Sequence, residues 1–202
     1  GVVEHPREVT ERLAKAGFAA VAMDVYGEGK LTTDAAQANE WMTQMLNDQD
    51  KLMGRCRAIL DDFADQLPVD GNRLGVVGYC FGGKIALDMA REGMPVKAVA
   101  TFHGNFSPKQ PAEKDKFNTK VLVAHGRDDS MVSMDDVESF KAEMDNAGVS
   151  YTVDVYDNAK HGFTNPNADK RAEENGVDLG YNEKAATESW DKMIDFMNNN
   201  LK

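Results

Sequence analysis

A cysteine lies between two glycines at the point where a predicted strand gives way to a predicted helix. The stretch "GYCFGGK" (78–84) has the spacing small-x-nucleophile-x-small, with Gly78 and Gly82 on either side of Cys80. This spacing is typical of a sharp strand-to-helix turn that holds a nucleophile at the carboxyl end of a strand. We expect both glycines to leave space where a Cβ atom would clash. The pattern therefore predicts that Cys80 is a nucleophile and not a packed, inert thiol.

The surroundings of this turn predict how the thiol is activated. The positive end of the following helix and a nearby histidine would both favour the thiolate form of Cys80. The backbone N–H of Phe81 would then point at the oxygen of a tetrahedral intermediate. The second cysteine, Cys56, lies four residues from both Leu52 and Leu60, on an apolar helix stripe. We expect Cys56 to be buried and inert.

A nucleophile of this kind needs a base and a carboxylate that orients the base. In chain order the carboxylate follows a later strand, where "VLVAHGRDDSMVS" contains Asp128 and Asp129. The spacing Gly-x-x-Asp-x-x-Val, through Gly126 and Val132, favours Asp129, with Asp128 as the alternative. The base follows the last strand, where "VYDNAKHGF" contains His161. These positions predict the set Cys80, Asp129 and His161.

Other residues are candidates for the pocket. His103 ends a predicted strand in "TFHGNF" and faces the same edge of the sheet, so it either lines the pocket or packs structurally. His125 precedes Gly126 and is expected to pack or hydrogen-bond locally. We name Tyr79, His103, Phe163 and Tyr181 as candidate substrate-binding residues, with ordinary packing as the alternative for each. The histidines, cysteines and acids lack metal-ligand spacing, and the glycines lack phosphate-loop spacing.

The predicted elements alternate in a way that positions these residues. Apolar strands between amphipathic helices require a parallel sheet with both faces covered. We predict one α/β domain over residues 1–202. Strands are predicted at 18–27, 73–80, 96–104, 120–126 and 150–159, and helices at 4–17, 33–67 (in two pieces), 81–93, 133–148 and 183–201. The segment 105–119 is predicted to be a surface excursion and 164–182 a long loop.

Composition limits the classes of protein that the chain can represent. Its net charge of −11 argues against nucleic-acid binding, which needs a surplus of Lys and Arg. Its apolar runs are too short for a membrane span. Two cysteines favour a reducing compartment over a disulfide framework, and we expect a cytoplasmic protein.

The motifs "GYCFGG", "HGRDDSMV" and "HGFTNPNADKR", followed by "GVDLGYNEKAATESWDKM", closely resemble those of the dienelactone hydrolase family of α/β-hydrolases. The resemblance covers the chain from Gly1 to Lys202. It implies an α/β-hydrolase fold with a mostly parallel central sheet flanked by helices. It also implies that Cys80, Asp129 and His161 hydrolyse a small ester or lactone through a thioester acyl-enzyme, without a cofactor. We expect a monomer or a homodimer.

The chain departs from the family pattern in three respects. The family has further strands before the position of Gly1, so we expect that the N-terminal strands are missing from this chain. A family glutamate thought to help form the thiolate, and a second oxyanion donor, would belong to that stretch. Lactone-cleaving members also have an arginine four residues after the histidine, where this chain has Asn165. Arg171 and Lys30 are candidates to replace that cation, and a neutral ester is at least as plausible a substrate as dienelactone.

Three alternatives remain open at the level of sequence. One is a catalytically silent α/β-hydrolase domain used for binding or signalling, although the matched set of three residues argues against it. Another is an acyltransferase that uses the same thiol. The third is a redox-sensing thiol, for which Cys56 is the available resolving cysteine and lies on a different helix.

Overall fold

The computed structural model describes residues 1–201, and the chain forms two compact units that divide after Gly71. The first unit contains the helices α1 (Glu4–Lys15), α2 (Ala35–Asn47) and α3 (Gln49–Gln66). They confirm the helices predicted at 4–17 and 33–67. Asp34 caps α2 by accepting a hydrogen bond from the backbone N–H of Gln37 at 3.0 Å, a role for which aspartate is strongly preferred. Cys56 is fully buried in α3, as the stripe predicted. The prediction of a single domain over 1–202 stays a prediction.

The strand predicted at 18–27 is wrong, because this segment is irregular in the structure. A strand requires hydrogen bonds to a neighbouring strand, and the described residues of the first unit include none. Local groups bind the backbone at the end of this segment instead. The carboxylate of Asp24 accepts from the N–H groups of Gly27 and Gly29, and the guanidinium of Arg55 donates to the carbonyls of Val25 and Tyr26. No residue of 18–27 is buried, and Val21 is half exposed, so the apolar run predicted neither burial nor a strand partner.

The second unit is a parallel sheet with flanking helices. Its strands are β1 (Gly75–Tyr79), β2 (Ala98–Phe102), β3 (Lys120–Gly126) and β4 (Tyr151–Tyr156), in that spatial order and all parallel. Its helices are α4 (Phe81–Arg91), α5 (Met134–Ala147), α6 (Ala168–Asn175) and α7 (Glu183–Leu201). Helix α4 packs on β1 and β2, and α7 packs on β2 and β3. All five residues of β2 are buried, as expected of a strand covered on both faces. The α/β architecture is confirmed.

The carboxyl ends of these strands share one edge of the sheet because all four strands are parallel. The hydrogen-bond ladder continues just past the strands at this edge. Cys80 donates its N–H to the carbonyl of Phe102 at 3.0 Å, and His103 donates to that of Ala124 at 2.9 Å. The loops that carry the candidate residues therefore begin from backbone positions that are fixed by the sheet.

A buried network of four charges anchors the start of the excursion that follows β2. Lys84 pairs with Asp88 at 2.8 Å, and Arg91 pairs with Asp88 at 2.9 Å and with Glu143 of α5 at 2.7 Å. Lys84 also donates to the carbonyl of Ser107, and Arg91 donates to that of Phe106. The segment predicted as a surface excursion is therefore tied to α4 and α5 by groups that a sequence pattern does not identify.

The loop predicted at 164–182 is wrong in part, because it contains the helix α6 (Ala168–Asn175). The helix ends at Gly176, which adopts a left-handed conformation (φ 63°), a common helix C-terminal signal. Only one helical residue, Ala168, is buried. With so small an apolar face, this short helix has little hydrophobic periodicity that could have predicted it.

Candidate active site

The backbone at Cys80 has the strained conformation of a sharp strand-to-helix turn. Cys80 has φ 52° and ψ −118° and immediately precedes α4. A positive φ is uncommon for a residue with a Cβ atom and persists where the surrounding structure imposes it. Here Phe102, the last residue of β2, accepts the N–H of Cys80, and the first turn of α4 holds the Cys80 carbonyl, which accepts from Gly83 and Lys84. The thiol is consequently displayed on the surface at the amino end of a helix.

Only one of the two bracketing glycines provides the space that the sequence predicted. A Cβ atom on Gly78 would lie 2.2 Å from the carbonyl oxygen of Gly82, so the prediction for Gly78 is confirmed. A Cβ atom on Gly82 would meet no atom within 4 Å, so the prediction for Gly82 is wrong. The second close approach falls one residue later, because a Cβ atom on Gly83 would lie 2.3 Å from Oγ1 of Thr101 on β2. The helix packs against the sheet through Gly83.

The structure brings Cys80, His161 and Asp129 into one hydrogen-bonded chain. Nε2 of His161 is 3.1 Å from Sγ of Cys80, and Nδ1 of His161 is 2.9 Å from Oδ2 of Asp129. Asp129 and His161 are both buried. The other oxygen of Asp129 accepts from the N–H groups of Met131 and Val132 at 2.9 and 3.0 Å, so that the carboxylate is fixed on both sides. The alternative, Asp128, is exposed.

The imidazole of His161 is held in its protonated form. Burial lowers the pKa of His161, but hydrogen bonds to Asp129 and to Cys80 oppose this effect and, together with the nearby charges, raise the pKa from 6.5 to about 10. A positive charge beside a sulfur is one of the surroundings in which cysteines are reactive. The geometry is therefore that of a candidate nucleophile with its base.

This shift predicts how stability depends on pH. The native pKa of His161 is above the unfolded value, so the contribution to the free energy of unfolding is complete below about pH 6.5 and is lost as pH rises towards about 10. We expect urea denaturation between pH 6 and 10.5 to show this decline in the wild type and not in His161→Asn. Parallel pH profiles for the two proteins would contradict the assignment.

Two of the candidate pocket residues, His103 and Phe163, are buried. His103 has φ 39°, is buried, and has its Nε2 3.0 Å from Oγ1 of Thr164. Its ring meets the ring of His161 edge to face, at 5.0 Å between centroids. Phe163 is fully buried against His103 and Tyr156. His103 thus packs directly against the base, and Phe163 packs against His103. The role of both residues in substrate binding stays a prediction.

The remaining predicted site residues lie around the same edge. Tyr79 is partly buried and stacks on Phe102, with 4.6 Å between ring centroids. Tyr181 is also partly buried and donates its N–H to Asp169 at 3.3 Å. Phe81 is the first residue of α4, so its N–H lies at the positive end of the helix. Their roles toward a substrate or an oxyanion stay predictions.

His125 is not part of the hydrogen-bonded chain of Cys80, His161 and Asp129. It is fully buried at the end of β3, with its ring 5.5 Å from that of Phe106. Burial lowers the pKa of His125, which favours the neutral imidazole. The local packing predicted for this residue is confirmed.

Three residues beside the site were not identified from sequence. Ser130 and Lys160 both hydrogen-bond to the carboxylate of Asp178, each at 2.7 Å. The only signal in the sequence is adjacency, because Ser130 follows Asp129 and Lys160 precedes His161. Asp178 itself lies far along the chain and carries no such signal.

Comparison with known proteins places the chain in a family. A profile described as the dienelactone hydrolase family matches residues 1–201. The chain belongs to the dienelactone hydrolase family. A crystal structure of a dienelactone hydrolase-like promiscuous phosphotriesterase from metagenomic libraries superposes with a TM-score of 0.92, at 32% identity, over 100% of this chain and 83% of that one.

Curated relatives agree with this assignment. A protein named "Putative carboxymethylenebutenolidase" from Synechocystis sp. is 29% identical over 100% of this chain and 83% of its own length. A protein of the same name from Salmonella typhimurium is 27% identical over 97% of this chain and 72% of its own length. The chain is thus a hydrolase of the dienelactone hydrolase type, with the α/β-hydrolase fold that the motifs implied. Within residues 1–201, each helix is too short or too polar to span a bilayer.

Proposed function

We propose that this dienelactone hydrolase-family protein cleaves small carboxylic esters or lactones through a thioester on Cys80. The observation that carries the proposal is the continuous hydrogen-bonded chain from Sγ of Cys80 through His161 to Asp129. A nucleophile, a base within reach of it and a carboxylate that orients the base are the three parts that covalent acyl transfer requires.

In the acylation step, the thiolate of Cys80 attacks the carbonyl carbon of the ester and the C=O electrons move onto the oxygen. The N–H of Phe81, at the amino end of α4, is placed to stabilise that oxyanion. As the tetrahedral intermediate collapses, the C–O bond breaks and His161 gives its proton to the leaving alkoxide. A lactone follows the same course, and its alcohol stays attached to the acyl group.

In the deacylation step, neutral His161 takes a proton from water as the water oxygen attacks the thioester carbonyl. The second tetrahedral intermediate expels the thiolate of Cys80, and the carboxylic acid leaves. Asp129 holds Nδ1–H of His161 throughout, so that Nε2 faces the sulfur and the water. The resting imidazolium–thiolate pair is restored.

The position after the base favours a neutral substrate. Asn165 stands where lactone-cleaving members have an arginine, and its Oδ1 accepts the N–H of Asn167 at 2.9 Å. An asparagine cannot supply the paired, charged donors with which arginine binds a carboxylate. The lysine beside His161, Lys160, is engaged by Asp178. We therefore place neutral esters ahead of lactones that carry a carboxylate.

The test is detection of the acyl-enzyme. Wild-type protein mixed with p-nitrophenyl acetate and quenched within seconds should gain the mass of one acetyl group, and Cys80→Ala should gain none. Cys56 serves as an internal control, because a buried thiol should stay unmodified in both proteins. Absence of an adduct and of turnover across short-chain esters and lactones would contradict the proposal and favour a silent binding domain.

A further inference from the structure

A short segment far along the chain contacts both loops that carry the acid and the base. Residues 178–182, which we call the strap, run beside the loop that begins with His161. Gly180 donates its N–H to the carbonyl of His161 at 3.2 Å, and Asn182 donates its N–H to that of Phe163 at 3.1 Å. The strap is thus hydrogen-bonded to the backbone of His161 itself. Its first residue, Asp178, also contacts the loop that carries Asp129.

The carboxylate of Asp178 bridges the two loops. One oxygen, Oδ1, accepts from Nζ of Lys160 at 2.7 Å, and the other, Oδ2, accepts from Oγ of Ser130 at 2.7 Å. Lys160 immediately precedes His161, and Ser130 immediately follows Asp129. One side chain therefore connects the residue next to the base with the residue next to the acid.

We propose that Asp178 is a positioning residue, whose carboxylate fixes the loop of Asp129 against the loop of His161 and so keeps the imidazole aimed at Cys80. The 2.9 Å contact between His161 and Asp129 joins the same two loops directly. The N–H of Asp128 also donates to the carbonyl of Ala159 at 3.0 Å. Asp178 adds a side-chain connection directly beside the acid and the base, offset from each by one residue, and so further restricts the relative movement of the two loops. This inference rests on the proposed function for its catalytic consequence.

The charge of Asp178 suits this role at neutral pH. Hydrogen bonds from Lys160 and then Ser130 lower the pKa of Asp178, so the carboxylate stays ionised and keeps both acceptors. The side chains of Lys160 and Asp178 are about half exposed, and solvent screening makes the contribution of such exposed pairs small. We therefore expect substitution of Asp178 to change the reaction rates by about fivefold. Removal of Cys80, His161 or Asp129 should cause a much larger loss.

The experiment measures positioning in two independent ways. The first is the rate at which iodoacetamide alkylates Cys80 at pH 7, which depends on the Cys80–His161 geometry whether or not the protein turns over esters. The second is kcat per titrated active site with p-nitrophenyl acetate, together with KM. We expect Asp178→Ala to lower both rates by about fivefold, to leave KM nearly unchanged, and to regain activity in Asp178→Glu.

Control variants distinguish the loss of the Asp178 bridge from a general effect of removing a negative charge. Glu138→Gln removes another exposed carboxylate whose 2.7 Å partner, Lys141, lies in the same helix, and it should leave both rates unchanged. In a double-mutant cycle, Ser130→Ala should slow Asp178→Ala no further, because the contact is already lost.

Wild-type rates of alkylation and a wild-type per-site kcat in Asp178→Ala would overturn the inference. Slower alkylation in Asp178→Ala would support it even if no ester were cleaved, an outcome that would instead count against the proposed function.

Discussion

Replacing His161 with asparagine should lower kcat for p-nitrophenyl acetate by about 1,000-fold or more, since the variant loses the group that both generates the thiolate and activates water. Asparagine is smaller than histidine, but its amide N–H can still donate to Asp129, so the loop should keep its conformation. Any acetyl group that reaches Cys80 should persist, because deacylation has lost its base. Stopped-flow measurement of acylation, with mass spectrometry of the adduct over time, separates the two steps.

The controls for this prediction use the other members of the hydrogen-bonded chain. Cys80→Ala should be equally inactive but should never form the adduct. Asp129→Asn should keep the thiol and the imidazole, but it loses the charge that orients Nδ1–H of His161, and it should be less active than the wild type at every pH. A His161→Asn protein with more than about a tenth of wild-type turnover would show that another group serves as base.

The position of the site could be predicted from sequence because each of its residues follows a strand. The carboxyl ends of parallel strands share an edge, so a cysteine after β1, an aspartate after β3 and a histidine after β4 converge once the strands are identified. Helix ends can be predicted in a similar way, from residue types that are close together in the sequence. Ser133 caps α5 with a reciprocal contact to Asp136, and Gly148 ends it in the left-handed conformation, and both residue types commonly mark helix ends.

Contacts that depend on distant partners could not be predicted in this way. The segment at 18–27 is apolar enough for a strand, but the backbone at its end is bound by Asp24 and Arg55, and no pattern in the sequence encodes that choice. The same holds for Asp178, whose partners Ser130 and Lys160 are 48 and 18 residues away along the chain. Periodicity identifies which face of an element is buried, and it does not identify which polar groups meet.

Gly78→Ala should destabilise the protein by about 3 kcal/mol or more, since overpacking costs rise when the neighbour is a backbone that cannot move aside. The new Cβ atom would lie 2.2 Å from the carbonyl oxygen of Gly82 and 2.6 Å from the nitrogen of Gly83. Relief of that clash must shift the first turn of α4, and with it the thiol of Cys80. Activity should therefore fall together with stability.

Gly82→Ala is the matched control, because it adds the same methyl group two residues after the nucleophile where no atom lies within 4 Å. Alanine favours helices over glycine by about 1 kcal/mol, so this variant should be as stable as the wild type or slightly more stable, with its turnover retained. Urea denaturation and kcat measured on both variants test the pair. If Gly78→Ala were as stable and as active as Gly82→Ala, the tight approach at the turn would not be what holds Cys80 in its strained conformation. If only Gly78→Ala is damaged, the glycine before the nucleophile supplies the space and the glycine after it does not, which is a distinction that the symmetrical motif conceals.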